Sequence, residues 1–301
     1  MPIISSFSLG NSHRDHTVCV RLLGETFTIE RVGTNGSMEA LARLIQANDG
    51  RSAIITIGGL HRHLVVDDRE WPFRESDAIY SLARRTPVVD GRDFRRWVEP
   101  EFVRRLYAAG AIRREQSVLF PVSANRLEMA DAFLACGARE VLFGDLIFGL
   151  GLPFGMIRSN ERAKRTIRAL APVLRRVPYG WLYPLGERQD EILSRGKRFL
   201  ERTDVLAGDF HGIRRFLIPD LTKKTIVTNT VTNEDRKLLQ ARGLARLVTF
   251  SPGFDGRTFG TNVMQGIVLW FLQRDGLEVN RANYLEVTKA LGIDLVIDDL
   301  G

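Results

Sequence analysis

The chain has 301 residues, 44% of them hydrophobic, and carries 43 Lys and Arg against 36 Asp and Glu, a net charge of +7. That length supports a large core in one big domain or two linked ones, while no apolar run nears the roughly 18–20 residues that cross a bilayer. Two cysteines, Cys19 and Cys136, argue against a disulfide framework, and no His or Cys spacing fits a zinc site, so no metal is expected.

The first residues lack the basic-then-apolar layout of a signal peptide, which predicts a cytoplasmic protein with no membrane partner. From Val18 to Val32 apolar and polar residues alternate around Gly24-Glu25, as in a hairpin. Ser37 suits the N-cap of an amphipathic helix over 38–47, which Asn48-Asp49-Gly50 stops. Ala53–Ile57 reads as a buried strand ending in Gly58-Gly59. Arg74–Arg85 has a helical pattern, and Thr86–Gly91 is a short strand running into a turn. Residues 93–109 are predicted helical with a break near Pro100.

From Ser117 a second pattern begins. Strand Ser117–Val122, helix Asn125–Cys136 and strand Glu140–Phe143 have the lengths of a βαβ unit, which implies parallel pairing. Arginine-rich helix 159–177 and helix 187–202 follow. Then come strands Asp204–Asp209, Thr225–Asn229 and Arg246–Phe250, with a helix over Asn233–Arg242 and an apolar helix over Gly260–Leu272. The predicted fold class is α/β in two lobes: an N-terminal α/β lobe (1–92), a helical connection (93–112), a Rossmann-like parallel-sheet lobe (113–272) with a cleft between the lobes, and a C-terminal segment (273–301).

Candidate chemistry sits at predicted strand ends, which face ligand crevices in parallel sheets. Asp145 ends the second strand of the βαβ unit, where a dinucleotide fold places an acid for the ribose hydroxyls. The preceding turn, Pro121–Arg126, has no glycine. Ser123, Asn125 and helix amides remain as phosphate donors there, with Arg126 as counter-charge. An ordinary capped α/β unit explains these residues equally well. Asp90, before Gly91, is placed to bind a hydroxyl or act as a base, or is a turn residue. His61 and His63 titrate near neutral pH and could relay a proton, or are exposed loop residues. Asp209, His211 and Arg214 form another candidate group. Asn229 and Thr230, at the end of a threonine-rich strand, suit a place beneath a cofactor. Asn262 or Thr261 either caps the apolar helix or leaves its amides for an anion.

The pattern resembles the quinate/shikimate 5-dehydrogenase-like proteins, in the wider group that includes shikimate dehydrogenase and glutamyl-tRNA reductase. The resemblance rests on lobe order, on Pro87-Val88-Val89-Asp90-Gly91, on the strand ends at Gly144-Asp145 and Gly208-Asp209, on 225–235, and on 257–267. It implies an NAD(P)-dependent oxidoreductase acting on a polar hydroxyl or carbonyl compound. Asp90 would contact the substrate hydroxyl, and Asp145 would select NAD over NADP. The family's lysine has no counterpart, since Lys164 is the first lysine of the chain. His61, His63 or His211 would then handle the proton.

The rival expectation is a non-catalytic α/β protein that binds a nucleotide or metabolite. The expected partner is an anionic or polyhydroxy small molecule, and a homodimer is a further expectation. Paired arginines such as Arg84-Arg85, Arg95-Arg96 and Arg214-Arg215 admit nucleic acid, but their helical spacing reads first as solvated faces.

Overall fold

The computed structural model describes residues 1–183, 191–250, 253–254 and 257–301. In chain order, the first part runs β1 (Ile3–Ser8), β2 (His16–Leu22), β3 (Glu25–Gly33), α1 (Met38–Asn48), β4 (Ile54–Gly58), β5 (His63–Val66), β6 (Arg69–Pro72), α2 (Arg74–Tyr80) and β7 (Val88–Val89). A π-helical turn over Phe94–Val98 leads into α3 (Glu99–Ala108). The second part runs β8 (Ser117–Phe120), α4 (Leu127–Ala135), β9 (Glu140–Phe143), α5 (Asn160–Leu174), α6 (Tyr179–Leu182), α7 (Lys197–Arg202), β10 (Val205–Gly208), α8 (Phe210–Arg214), β11 (Thr225–Thr228), α9 (Asn233–Ala241) and β12 (Arg246–Thr249). The chain ends with the short pair β13 (Gly253–Phe254) and β14 (Arg257–Thr258), then α10 (Thr261–Arg274), α11 (Arg281–Ala290) and β15 (Val296–Asp299).

Two sheets define an α/β fold with two lobes. The first has order β2-β3-β1-β4-β7, and only the β2–β3 hairpin is antiparallel. The second has order β15-β12-β11-β10-β8-β9, parallel apart from β15. The β8–β9 pairing is the parallel one that the βαβ spacing predicts. In the second sheet, alternate residues face opposite cores. Val118 and Phe120 join one apolar cluster while Leu119 joins the other, and Val205 and Ala207 divide from Leu206 in the same way. Both faces are covered, which is why these strands read as continuous apolar runs.

Several elements depart from expectation. β1, which pairs with both β3 and β4, has serines at three of its six positions, two of them adjacent, and gives a weak strand signal. The irregularity expected near Pro100 is the π-helical turn just before it. Pro100 itself lies inside the continuous helical run 92–108, where its missing N–H cannot join the helical hydrogen-bond ladder. The arginine-rich helix is shorter at both ends than 159–177. Of helix 187–202, only 197–202 is helical among the described residues, and 187–190 lie outside them.

The apolar helix α10 packs on the first sheet. Gly266 lets it approach so closely that a Cβ there would lie 2.6 Å from Thr56 Cγ2. The start of α10 abuts Gly91, whose φ of +87° favours glycine and whose added Cβ would lie 2.7 Å from the Asn262 amide nitrogen. The turn after Asp90 is thereby fixed by a helix from the far end of the chain. No helix of the described residues is long and apolar enough to cross a membrane.

Candidate functional site

The loop after β4, the turns after β8, β9 and β10, and the inner face of α5 enclose a cavity of about 210 Å³. His61 reaches it from the first lobe, and Asn125, Asp145, Asp209 and His211 reach it from the second. Tyr179 and Tyr183, one turn apart, stack at 4.8 Å between ring centroids and form part of the wall.

Half-buried His61 and buried Asp90, separated by 29 residues in sequence, come together as a pair. His61 Nδ1 lies 3.5 Å from Asp90 Oδ2, and Arg95 Nη2 lies 3.4 Å from each of those atoms. Asp90 also accepts the backbone N–H groups of Arg62 and Arg92, while Arg95 Nη1 donates to the Asp90 carbonyl at 2.7 Å. Burial opposes ionisation of Asp90, but the Arg95 guanidinium, His61 and the Arg92 amide together hold its carboxyl well below the usual range. Burial and the neighbouring Arg95 cation lower the pKa of His61, which favours the neutral imidazole. Its Nε2 faces Asn125 Nδ2 at 2.9 Å.

His63 lies apart from this cluster. It begins β5, with Nε2 3.9 Å from Glu70 Oε2 across the hairpin, and does not line the cavity. Burial lowers its pKa too. Both histidines therefore bind protons more readily in the unfolded chain, and stability should fall as the pH drops through 6.5. Thermal unfolding between pH 8 and 5 should show this loss, with a shallower slope for His61→Gln. An equal slope in that variant would count against a buried neutral His61.

The turn after β8 is organised differently from a nucleotide site. Asp145 Oδ1 accepts the Ser123 and Ala124 amides at 2.9 and 3.0 Å, and its Oδ2 accepts the Ser123 hydroxyl. Burial nonetheless raises the Asp145 pKa. Arg126 is fully buried, paired with Glu99 and 3.4 Å from Asp209 Oδ2. Asp209 caps α8 by accepting the His211 backbone N–H at 3.0 Å, and it takes Asn229 Nδ2 at 3.2 Å. Asn229 is therefore a brace behind the wall, with half-buried Thr230 beside it. His211 Nε2 meets Arg14 Nη1 at 3.3 Å, a contact between the lobes. Asn262 is on α10 and donates to Ser6 and Thr56 hydroxyls at 3.2 and 3.1 Å, tying that helix to the first sheet.

Sequence reasoning missed Arg95, Glu99, Tyr179, Tyr183 and the inner face of α5. Arg95-Arg96 follows the pattern of a solvated pair, but Arg95 is buried and only Arg96 meets that description. Among the described residues, no group of three or more His, Cys, Asp or Glu is placed to hold a metal ion.

A family model described as "Domain of unknown function (DUF8754)" matches residues 93–300. The chain belongs to this DUF8754 family. A second, "Domain of unknown function (DUF8753)", matches residues 3–90. No curated protein matches. Similar solved structures include an ABC transporter solute-binding protein from Burkholderia multivorans, 9% identical with a TM-score of 0.36, covering 99% of this chain and 98% of that one. Another is a sugar ABC transport substrate-binding protein from Bordetella parapertussis, 11% identical with a TM-score of 0.36, covering 92% and 82%. An NAD-dependent malic enzyme from Thermotoga maritima is 10% identical with a TM-score of 0.34, covering 96% and 84%.

The expectation of an NAD(P)-dependent oxidoreductase is corrected, and the geometry of this DUF8754 member's own turn after β8 is the physical reason. The Ser123 and Ala124 amides that would face a pyrophosphate are taken by Asp145, the acid that would face a ribose. Arg126, the expected counter-charge, is enclosed with Glu99.

Proposed function

We propose that the chain binds a small hydroxyl-bearing molecule in the cavity between its lobes. The observation that carries this reading is Asn125 Oδ1, a buried carbonyl oxygen in a cavity-lining residue with no hydrogen-bond partner among the described residues. A buried acceptor left unpaired costs about 1–3 kcal/mol, and a ligand O–H or N–H removes that cost. Asp145 and Asp209 add negative charge to the same wall, against one arginine among the described residues, Arg215. That balance favours an uncharged polyhydroxy group over an anion. The cavity offers convergent polar groups on a largely apolar lining, the usual composition of a small-molecule site.

Calorimetric titration with a panel of monosaccharides and smaller polyols tests this reading. At least one should bind, and Asn125→Leu should weaken it about fivefold to tenfold, the equivalent of one hydrogen bond of roughly 1–1.4 kcal/mol. Unchanged affinity in a folded Asn125→Leu variant would remove Asn125 from the binding site.

A further inference from the structure

We infer that the molecule held in this cavity is amphipathic, with a hydroxylated head at His61, Asn125 and Asp209 and a hydrocarbon chain or ring against α5. The inference rests on the proposed small-molecule function and specifies its ligand class.

The α5 wall carries the argument. Ala163, Thr166, Ile167, Leu170 and Leu174 recur at helical spacing and all line the cavity. Four of these five side chains are purely hydrocarbon. Leu170 and Leu174 are only partly buried although they lie on the inner stripe of the helix, so the protein does not complete their packing. Leu146 and Phe148, from the π-helical turn after β9, and Leu182, from α6, extend the same surface. This region offers almost no acceptors to a sugar ring, whose hydroxyls would lose water there without replacement. Apolar atoms would instead gain dispersion contacts and release water from both surfaces. His61, Asn125, Asp209 and His211 lie on the turns after β4, β8 and β10, while Asp145, which precedes Leu146 on the turn after β9, has its carboxylate on the Ser123 and Ala124 amides. An apolar cavity of about 150 Å³ accepts a benzene ring. The volume of about 210 Å³ here therefore suits a small head with a ring or short chain.

The test is an NMR titration of the full chain with 1,2-diols of increasing length, from ethanediol to octanediol, with galactose and ribose in parallel. Affinity should rise about threefold to fourfold per added methylene until the α5 wall is covered. Leu170→Asp should flatten that rise with chain length. Thr166→Asp, at a half-buried position on the same wall, provides the same test if Leu170→Asp fails to fold. Affinity independent of chain length, or galactose binding more tightly than hexanediol, would overturn the amphipathic ligand and leave the polar-ligand reading standing. If neither diols nor sugars shift the cavity resonances, both readings fail.

Discussion

Arg126→Met should destabilise the fold by about 3–5 kcal/mol, because it leaves the Glu99 carboxylate buried without its counter-charge. Glu99 has no solvent exposure, and its Oε1 already lacks a hydrogen-bond partner among the described residues. The Arg126–Glu99 pair joins the first turn of α3 to the residue preceding α4, and the guanidinium also reaches Asp209 at the end of β10. The double variant Arg126→Met, Glu99→Leu should recover most of the loss, since an apolar pair of similar volume carries no desolvation penalty. Urea unfolding of the two single variants and the double variant gives the coupling directly. Additive losses would mean that the two side chains act independently.

Asp90→Ala should have an effect of similar size, about 3–5 kcal/mol, because Arg95 would remain buried without its nearest carboxylate. Asp90→Asn should cost less, since an amide oxygen can still accept from the Arg62 or Arg92 backbone. Asp90 also favours protonation of His61, against burial and Arg95. Either substitution should therefore move the His61 titration further down, to a more acid midpoint. NMR of the imidazole protons reads that shift separately from stability. A His61 midpoint unmoved in Asp90→Asn would show that the two groups are not electrostatically coupled. Because Asp90 is held below its ordinary pKa, its own contribution to stability is present above about pH 3.8 and is lost below it, in a more acid window than that of the histidines.

The legible parts of this fold were those with a local signal. The β2–β3 hairpin showed in alternation about Gly24, α1 in its Ser37 cap, and the β8–α4–β9 unit in the lengths of its runs. In each, the relevant contacts lie within a few residues, or follow from a crossover of fixed hand. β1 escaped notice because its pairing partners, rather than its own pattern, make it a strand. The β5–β6 hairpin was equally obscure, with charged residues in its turn and only four residues per strand.

For the candidate site, the sequence singled out His61, His63, Asp90, Ser123, Asn125, Arg126, Asp145, Asp209, His211, Asn229, Thr230 and Asn262, of which His61, Asn125, Asp145, Asp209 and His211 line the cavity. Their roles were not legible. Asp145 and Ser123 are 22 residues apart, and the parallel pairing of β8 with β9 brings the acid onto the very amides it was expected to stand beside. Arg126 looked like a counter-charge for a ligand, but its partner Glu99 lies on another helix.

The sequence by itself determined the alternation of strands and helices, the parallel character of the second lobe and the concentration of polar groups at strand ends. Those properties arise from side-chain period and turn chemistry, which act over a few residues. Only the tertiary structure decided which charges neutralise one another and which remain for a ligand. Buried polar groups take partners wherever the packing supplies them, so Asp145, Arg126 and Arg95 are spent on the protein itself while Asn125 Oδ1 is left without a partner among the described residues.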